Sequence, residues 1–480
     1  TQPQFVRLVA AATVVLFLVS HALSTMVRSR SALLGLDLAL MVGTGFALVS
    51  MVRPLLAGQA VRLALGVGEV VLIGFTLVLL AAPVWQLAKG RADLRRNHVA
   101  LSRFVWTGVA VVLLFAAGYV AWAVHPSPSD IKRGFVTQAP SGGWMHVHGE
   151  TRNRADYVAS FLLDTKSGTR VRMPLPWMGP VFSRDGRVAA LTAGDVRTAN
   201  RSEDLTLSIA DLGEAKPRLR ETKIQPGNAL ALSDDGRRLM TIDRSGIVSV
   251  HDVAREALLV SARGLEARAY QAAVFLTPDL VRIWQYHNDT KQAVEIFELD
   301  VPRKSLTKTG EAPLHVRYRG LSVTGDGSRA LLHDAGLLID GRTGATIKQF
   351  PTGMGGVILN DGTVVLVERA AGRMHVFDAN GHPLRQVALP PAEWVRIGAE
   401  LEGGRIALTT VTRPRIEHAF IVDVKNGRVV HQQKGVHVSV PWFSADPRVP
   451  LLGAGVDVAL ARVGGGVSLW DPETGRTTAL

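Results

Sequence analysis

The chain contains no cysteine, which excludes disulfides, thiol nucleophiles, thiolate zinc sites and iron–sulfur ligation. Any folded part must be held by its own core, and a region of about 350 residues can manage this by burying roughly three quarters of its unfolded surface. Also missing are Gly-x-Ser-x-Gly, His-Glu-x-x-His and Gly-x-x-x-x-Gly-Lys, the patterns that present a nucleophilic serine, hold catalytic zinc or cradle phosphate. Acidic residues are scarce in the first quarter, where residues 1–125 hold ten Lys and Arg against three acids, while the rest carries 44 against 38. The net charge of +13 is therefore an excess in short loops between apolar runs. Membrane orientation explains that pattern before phosphate binding does, so no nucleic-acid partner is expected.

The apolar runs are long. No charge falls between Arg7 and Arg28, only Asp37 between Arg30 and Arg53, only Glu69 between Arg62 and Lys89, and none from Phe104 to Val124. Each run can cross about 30 Å of hydrocarbon as a helix. The sequence thus predicts an α-helical transmembrane bundle of four helices near 5–24, 33–52, 63–87 and 104–124, within a domain of residues 1–125. Lys89, Arg91, Arg95, Arg96 and Arg103, with Arg28 and Arg30, outnumber Arg7, Arg53, Arg62, Lys132 and Arg133 on the opposite side. The positive-inside rule then places everything after the fourth span outside the cytoplasm, and the expected location is a bacterial inner membrane. The first residue is Thr1 and no basic region precedes the first run, so the segment does not read as a signal peptide, and the chain is expected to be a fragment. A stiff Pro/Ser linker, residues 126–133, follows, because proline cannot continue the last helix.

From residue 134 the pattern changes to an apolar strand ending in aspartate, repeated eight times. The aspartates are Asp164, Asp211, Asp252, Asp300, Asp340, Asp378, Asp423 and Asp471, at gaps of 47, 41, 48, 40, 38, 45 and 48. Ahead of each runs a second turn signal: Gly142-Gly143, Asp185-Gly186, Asp235-Gly236, Pro278-Asp279, Asp326-Gly327, Asp361-Gly362, Gly403-Gly404 and Asp446-Pro447. Two turns per unit with this period describe a four-stranded blade, and residues 134–480 are expected to form an all-β propeller of eight blades, with seven as the alternative. Each blade would be built from a contiguous segment, leaving the ring to close by side-by-side packing. The aspartates and glycines are expected to serve the turns rather than a ligand.

Asp-x-x-Thr-Gly at Asp340 to Gly344 and Asp471 to Gly475, the pair Trp470-Asp471, and Ser-x-Asp-Gly at Ser183 and Ser233 give the chain a resemblance. It is similar to bacterial membrane-anchored propellers of the WD-repeat and quinoprotein-like (YVTN-like) superfamily. The resemblance implies the fold, whereas its members serve as scaffolds, sensors, dehydrogenases and hydrolases alike. The quinoprotein dehydrogenases carry a tryptophan after the Asp-x-x-Thr-Gly turn. Here Ala345-Thr346-Ile347 and Arg476-Thr477-Thr478 follow, and no cofactor is expected.

Few side chains suggest chemistry. His21, Asp37 and Glu69 are ionisable residues within apolar runs and so are functional suspects; His21 and Asp37 fall at similar depth and could pair. His146 and His148 alternate on one strand, share a face and are candidate metal ligands that lack a third partner in sequence. The plainer reading is an exposed pair on a blade edge. No catalytic residue is assigned. The reading is a non-enzymatic, membrane-anchored module for protein interaction or ligand sensing. The alternatives are the C-terminal part of a type-2 ABC exporter-like permease and, more remotely, an anchored quinoprotein-like dehydrogenase. The long connections Gly194 to Asp204 and Tyr286 to Gln292 are the first places to look for a partner.

Overall fold

A computed structural model describes residues 34–57, 61–88, 94–124 and 127–480. Outside the description within the last range are 141–142, 152–157, 174–179, 194–205, 215–216, 225–227, 244, 267–269, 287–292, 314–319, 334, 353, 413–415, 439–446, 453–455 and 463–465. The expected first span and His21 therefore lie outside the described residues, as do most of the two long connections. The chain divides into a helical unit and a β unit.

The helical unit corrects the four-helix transmembrane bundle. Among the described residues there are three helices: α1 (Leu34–Ala57), α2 (Val61–Ala88) and α3 (Leu94–Val124). Only α2, over Ala64–Ala82, and α3, over Ser102–Trp122, are long and apolar enough to cross a membrane, with mean hydropathy 2.3 and 2.1. The apolar stretch of α1 is Gly35–Ser50. At 1.5 Å per residue it rises about 24 Å, short of the hydrocarbon thickness. The second and third helices pack through reciprocal small-to-branched contacts. A Cβ on Gly74 would lie 2.8 Å from both methyls of Val112, and one on Gly108 would lie 2.7 Å from a Val78 methyl. Glycine at these two positions lets the helices approach closely enough for Ala82, Val105 and Val109 to be buried between them.

The β unit is an eight-bladed propeller, with blades at residues 131–172, 181–221, 228–263, 270–313, 321–349, 355–388, 394–434 and 436–479. Each blade is an antiparallel sheet whose strands a to d follow chain order, a innermost, and no blade borrows its outer strand from the far end of the chain. The expected contiguous blades are what is found, and the first strand opens at Ile131.

Sheets buried on both faces need apolar residues at every position rather than every second one. Blade 7 shows how this works. Ile406, Leu408, Phe420 and Val422 pack on Val365, Val367 and Val376 of blade 6. The alternate residues Ala407, Ala419 and Ile421 pack on Val438, Leu460 and Trp470 of blade 8. Each large side chain so buried contributes about 1.5–3 kcal/mol.

All eight repeat aspartates serve turns. Each carboxylate accepts a main-chain N–H two or three residues on, from Lys166, Gly213, Arg255, Arg303, Thr343, Asn380, Asn426 and Glu473 in turn. In the Asp-x-x-Thr-Gly turns, Gly344 and Gly475 sit at φ 75° and 73°, where a side chain would be strained.

The inner strands leave N–H groups without a ladder partner, as every edge strand does. Side chains of neighbouring blades fill the gap. Thr192 Oγ1 accepts the Ala229 N–H at 2.9 Å, Ser322 Oγ the Ile358 N–H at 2.8 Å, and Thr409 Oγ1 the Val438 N–H at 2.7 Å. Blade 1 closes on blade 8 in the same manner through Gln138, together with a bond from the Gly466 N–H to the Ile131 carbonyl at 2.6 Å.

Candidate functional site

The inner strands run parallel around the channel, and their C-terminal ends meet at one mouth. There the eighth blade departs from the repeat. Its inner strand, Val436–Val438, is separated from its second strand, Val458–Arg462, by an excursion whose described part, Pro447–Leu452, lies across that mouth. Val323 of blade 5 donates its N–H to the Pro447 carbonyl at 3.2 Å and bridges Arg448 in parallel. Asn360 Nδ2 of blade 6 donates to the Val449 carbonyl at 3.0 Å. On blade 7, Leu451 and Leu452 pair in parallel with Glu400 and Leu401 as a fifth strand. Val449 is buried in the core between blades 6 and 7, and Leu452 in that between blades 7 and 8.

Charged groups fix the segment as well. The Arg448 guanidinium, 8% exposed, reaches Asp234 of blade 3 at 2.9 Å, and Arg184 of blade 2 lies 3.7 Å from the same carboxylate. Asn360 donates both its main-chain N–H and its Nδ2 to one oxygen of Glu400, at 2.8 and 2.7 Å. Burial raises the Glu400 pKa, with the Asn360 bonds opposing it. Between the segment and blades 1 and 2 remains a cavity of about 60 Å³ lined by Thr137, Gln138, Phe182, Arg184 and Pro450 among others. These groups pair with one another. The arrangement lays this segment over the ends of the inner strands of blades 5, 6 and 7.

Sequence reading missed this segment. The sequence reads Asp446-Pro447 as a tight turn; Asp446 lies outside the described residues, and Pro447 belongs to a segment that crosses to other blades. The available signal was Pro447 and Pro450 flanking Val449, Leu451 and Leu452 in a unit with one of the longest aspartate gaps.

The residues singled out from sequence are dispersed. Asp37 accepts hydrogen bonds from Ser102 Oγ at 2.6 Å and Trp106 Nε1 at 2.8 Å. Those two donors stand four apart on one face of α3, so the carboxylate ties α1 to α3. Glu69 is half-buried on α2. His146 and His148 do share a face, their rings stacked at 6.0 Å between centroids, but they are not an exposed pair. His146 is buried, 3.0 Å from Ser160 Oγ, and His148 is partly buried. Burial depresses both, His146 to about 3 with a further push from its neighbour. Among the described residues no group of three or more His, Asp or Glu converges to hold a metal. Two further histidines pair with hydroxyls, buried His251 with Thr241 and half-buried His333 with Ser322, and desolvation lowers each to about 4.

No known protein family matches the chain, and no curated protein does. Among solved structures, the dihydro-heme d1 dehydrogenase NirN in complex with DHE is similar at 16% identity and TM-score 0.46, over 74% of this chain and 73% of that one. Saccharomyces cerevisiae Sqt1 is similar at 15% identity and TM-score 0.43, over 62% and 83%. The β-propeller domain of the Pyrococcus furiosus trilobed protease, described as having an open velcro topology, is similar at 14% identity and TM-score 0.41, over 63% and 97%. These likenesses say nothing about the chemistry of this chain.

Proposed function

We propose that this chain is a membrane-held, non-enzymatic interaction module whose propeller meets a protein partner at one end only. One observation supports it above others: the mouth where the inner strands end is filled by Pro447–Leu452 of the chain itself. A partner is then left with the opposite face, where strands b turn into c and blades connect. Helices α2 and α3 serve as the anchor in a bacterial inner membrane. Their basic connection lies on the cytoplasmic side and the propeller on the other, as the charge asymmetry favours.

The test is photo-crosslinking in native membranes. A photoreactive residue replaces exposed Ala371 on the face left open or exposed Asp361 on the sealed one. A discrete protein adduct from position 371 and none from 361 is expected. Adducts from 361 alone, or turnover of a substrate by the purified chain, overturn the reading.

A further inference from the structure

Two blades place a side chain in the same slot. The residue that follows strand b folds back over a glycine at the start of its own inner strand, at the mouth opposite the crossing segment. In blade 5 this is His333 over Gly320, where an added Cβ would lie 2.7 Å from the ring. In blade 6 it is Arg369 over Gly355, where a Cβ would lie 3.4 Å from both Nε and Nη2. The two slots differ in satisfaction. His333 Nε2 meets Ser322 Oγ at 3.0 Å. Arg369 Nε is buried with no hydrogen-bond partner, and its nearest acidic neighbour in sequence, Glu368, is engaged by Arg373 at 3.0 Å.

A guanidinium has five donors and no way of becoming neutral, and with Nε covered against a bare glycine backbone only its terminal nitrogens are left to meet a ligand. The surroundings favour a carboxylate. The Ala392 N–H holds the Arg369 carbonyl at 3.0 Å, bringing the turn beside the start of the next inner strand. Ile358 turns its N–H out of its own sheet toward Ser322, and strand alternation turns the Gly356 N–H the same way, toward the channel. With Nε covered, the guanidinium presents its two terminal nitrogens, whose spacing matches the oxygens of a carboxylate.

The geometry points to Arg369, with the Gly355-Gly356 backbone, as a carboxylate-binding site on the rim of the mouth opposite the crossing segment. The site does not depend on the interaction-module reading, because a small organic acid and an acidic peptide offer the same group.

The test is arginine labelling with phenylglyoxal on the full chain in detergent, read residue by residue by mass spectrometry. Arg237, 84% exposed and on the sealed face, is the internal control. Arg369 is expected to label, and succinate to slow it roughly threefold or more relative to sodium chloride of equal ionic strength while Arg237 is unchanged. Protection by an acidic tetrapeptide at about tenfold lower concentration assigns the carboxylate to a peptide, and equal protection assigns it to a small acid. Chloride protecting as well as succinate, equal slowing of Arg237, or an Arg369 that never labels overturns the proposal.

Discussion

Gln138 joins the first blade to the eighth with both ends of its amide: its Oε1 accepts the Ala459 N–H at 2.9 Å and its Nε2 donates to the Asp457 carbonyl at 2.6 Å. Three other junctions use a hydroxyl that accepts one N–H. The seam between the two ends of the ring uses a side chain that satisfies a donor and an acceptor together.

Gln138→Leu should therefore be among the costlier polar substitutions in the propeller. It keeps the volume but leaves one buried N–H and one carbonyl unpaired, a loss of about 1–3 kcal/mol. Urea unfolding followed by tryptophan fluorescence measures it. A midpoint equal to that of the parent chain would mean the seam is held by packing alone.

At the sealed mouth, Asn360→Ala should cost more than Arg448→Met. The first removes the Nδ2 that serves both the buried Glu400 and the Val449 carbonyl, while the main-chain N–H to Glu400 remains, a loss of about 1–3 kcal/mol. The second breaks an ion pair whose partner Asp234 is half exposed, a loss of about 0–1 kcal/mol. Because the folded pKa of Glu400 is raised, its ionisation opposes folding. The deficit is absent at pH below the ordinary glutamate value and grows as pH rises through the raised one. Glu400→Gln should accordingly gain on the parent chain between pH 4 and pH 8. A gain in the opposite direction would reverse the assignment.

Acid should loosen the propeller well before its carboxylates titrate. His146, His251 and His333 are depressed by burial to about 3, 4 and 4. The unfolded chain takes up protons at these sites below about pH 6.5 while the folded state does not. Stability is therefore complete above that value and falls as pH drops toward the folded pKa values. His146 alone contributes about 1.4 kcal/mol for each pH unit within the window. Thermal midpoints between pH 7 and pH 4 test this, with His146→Gln expected to flatten the slope.

In the helical unit, Gly74→Leu and Gly108→Leu should each separate α2 from α3, since the added side chain meets a valine at van der Waals overlap. Engineered cysteine pairs across the contact, in a chain with no other thiols, should cross-link in the parent and fail in either variant. Unchanged cross-linking would show that the glycines are incidental.

Much of the propeller was legible because turn chemistry is local. An aspartate that caps its own turn and a glycine at positive φ leave marks at near-regular spacing, so Asp164 to Asp471 can be counted in the sequence alone. Contacts between distant parts were not legible. Nothing near Pro447 in sequence says that Val323 and Glu400, on different blades, will receive it. The burial of His146 depends on blade 2 lying over a strand of blade 1. Asp37 was recognised as unusual, yet its partners Ser102 and Trp106 are more than sixty residues away. The run that becomes α1 is overstated by its scarcity of charge between Arg30 and Arg53, because its apolar stretch is only Gly35–Ser50.

Because each sheet is assembled from neighbouring stretches of chain, a polypeptide emerging from its N-terminal end can complete one blade after another without waiting for distant segments. Two events cannot follow that order. The seam at Gln138 and the closure of the channel both need residues made only after seven blades already stand. Until then the inner edge of the first blade remains uncovered, which makes the interval before residue 459 is synthesised the period in which this protein most needs protection from aggregation.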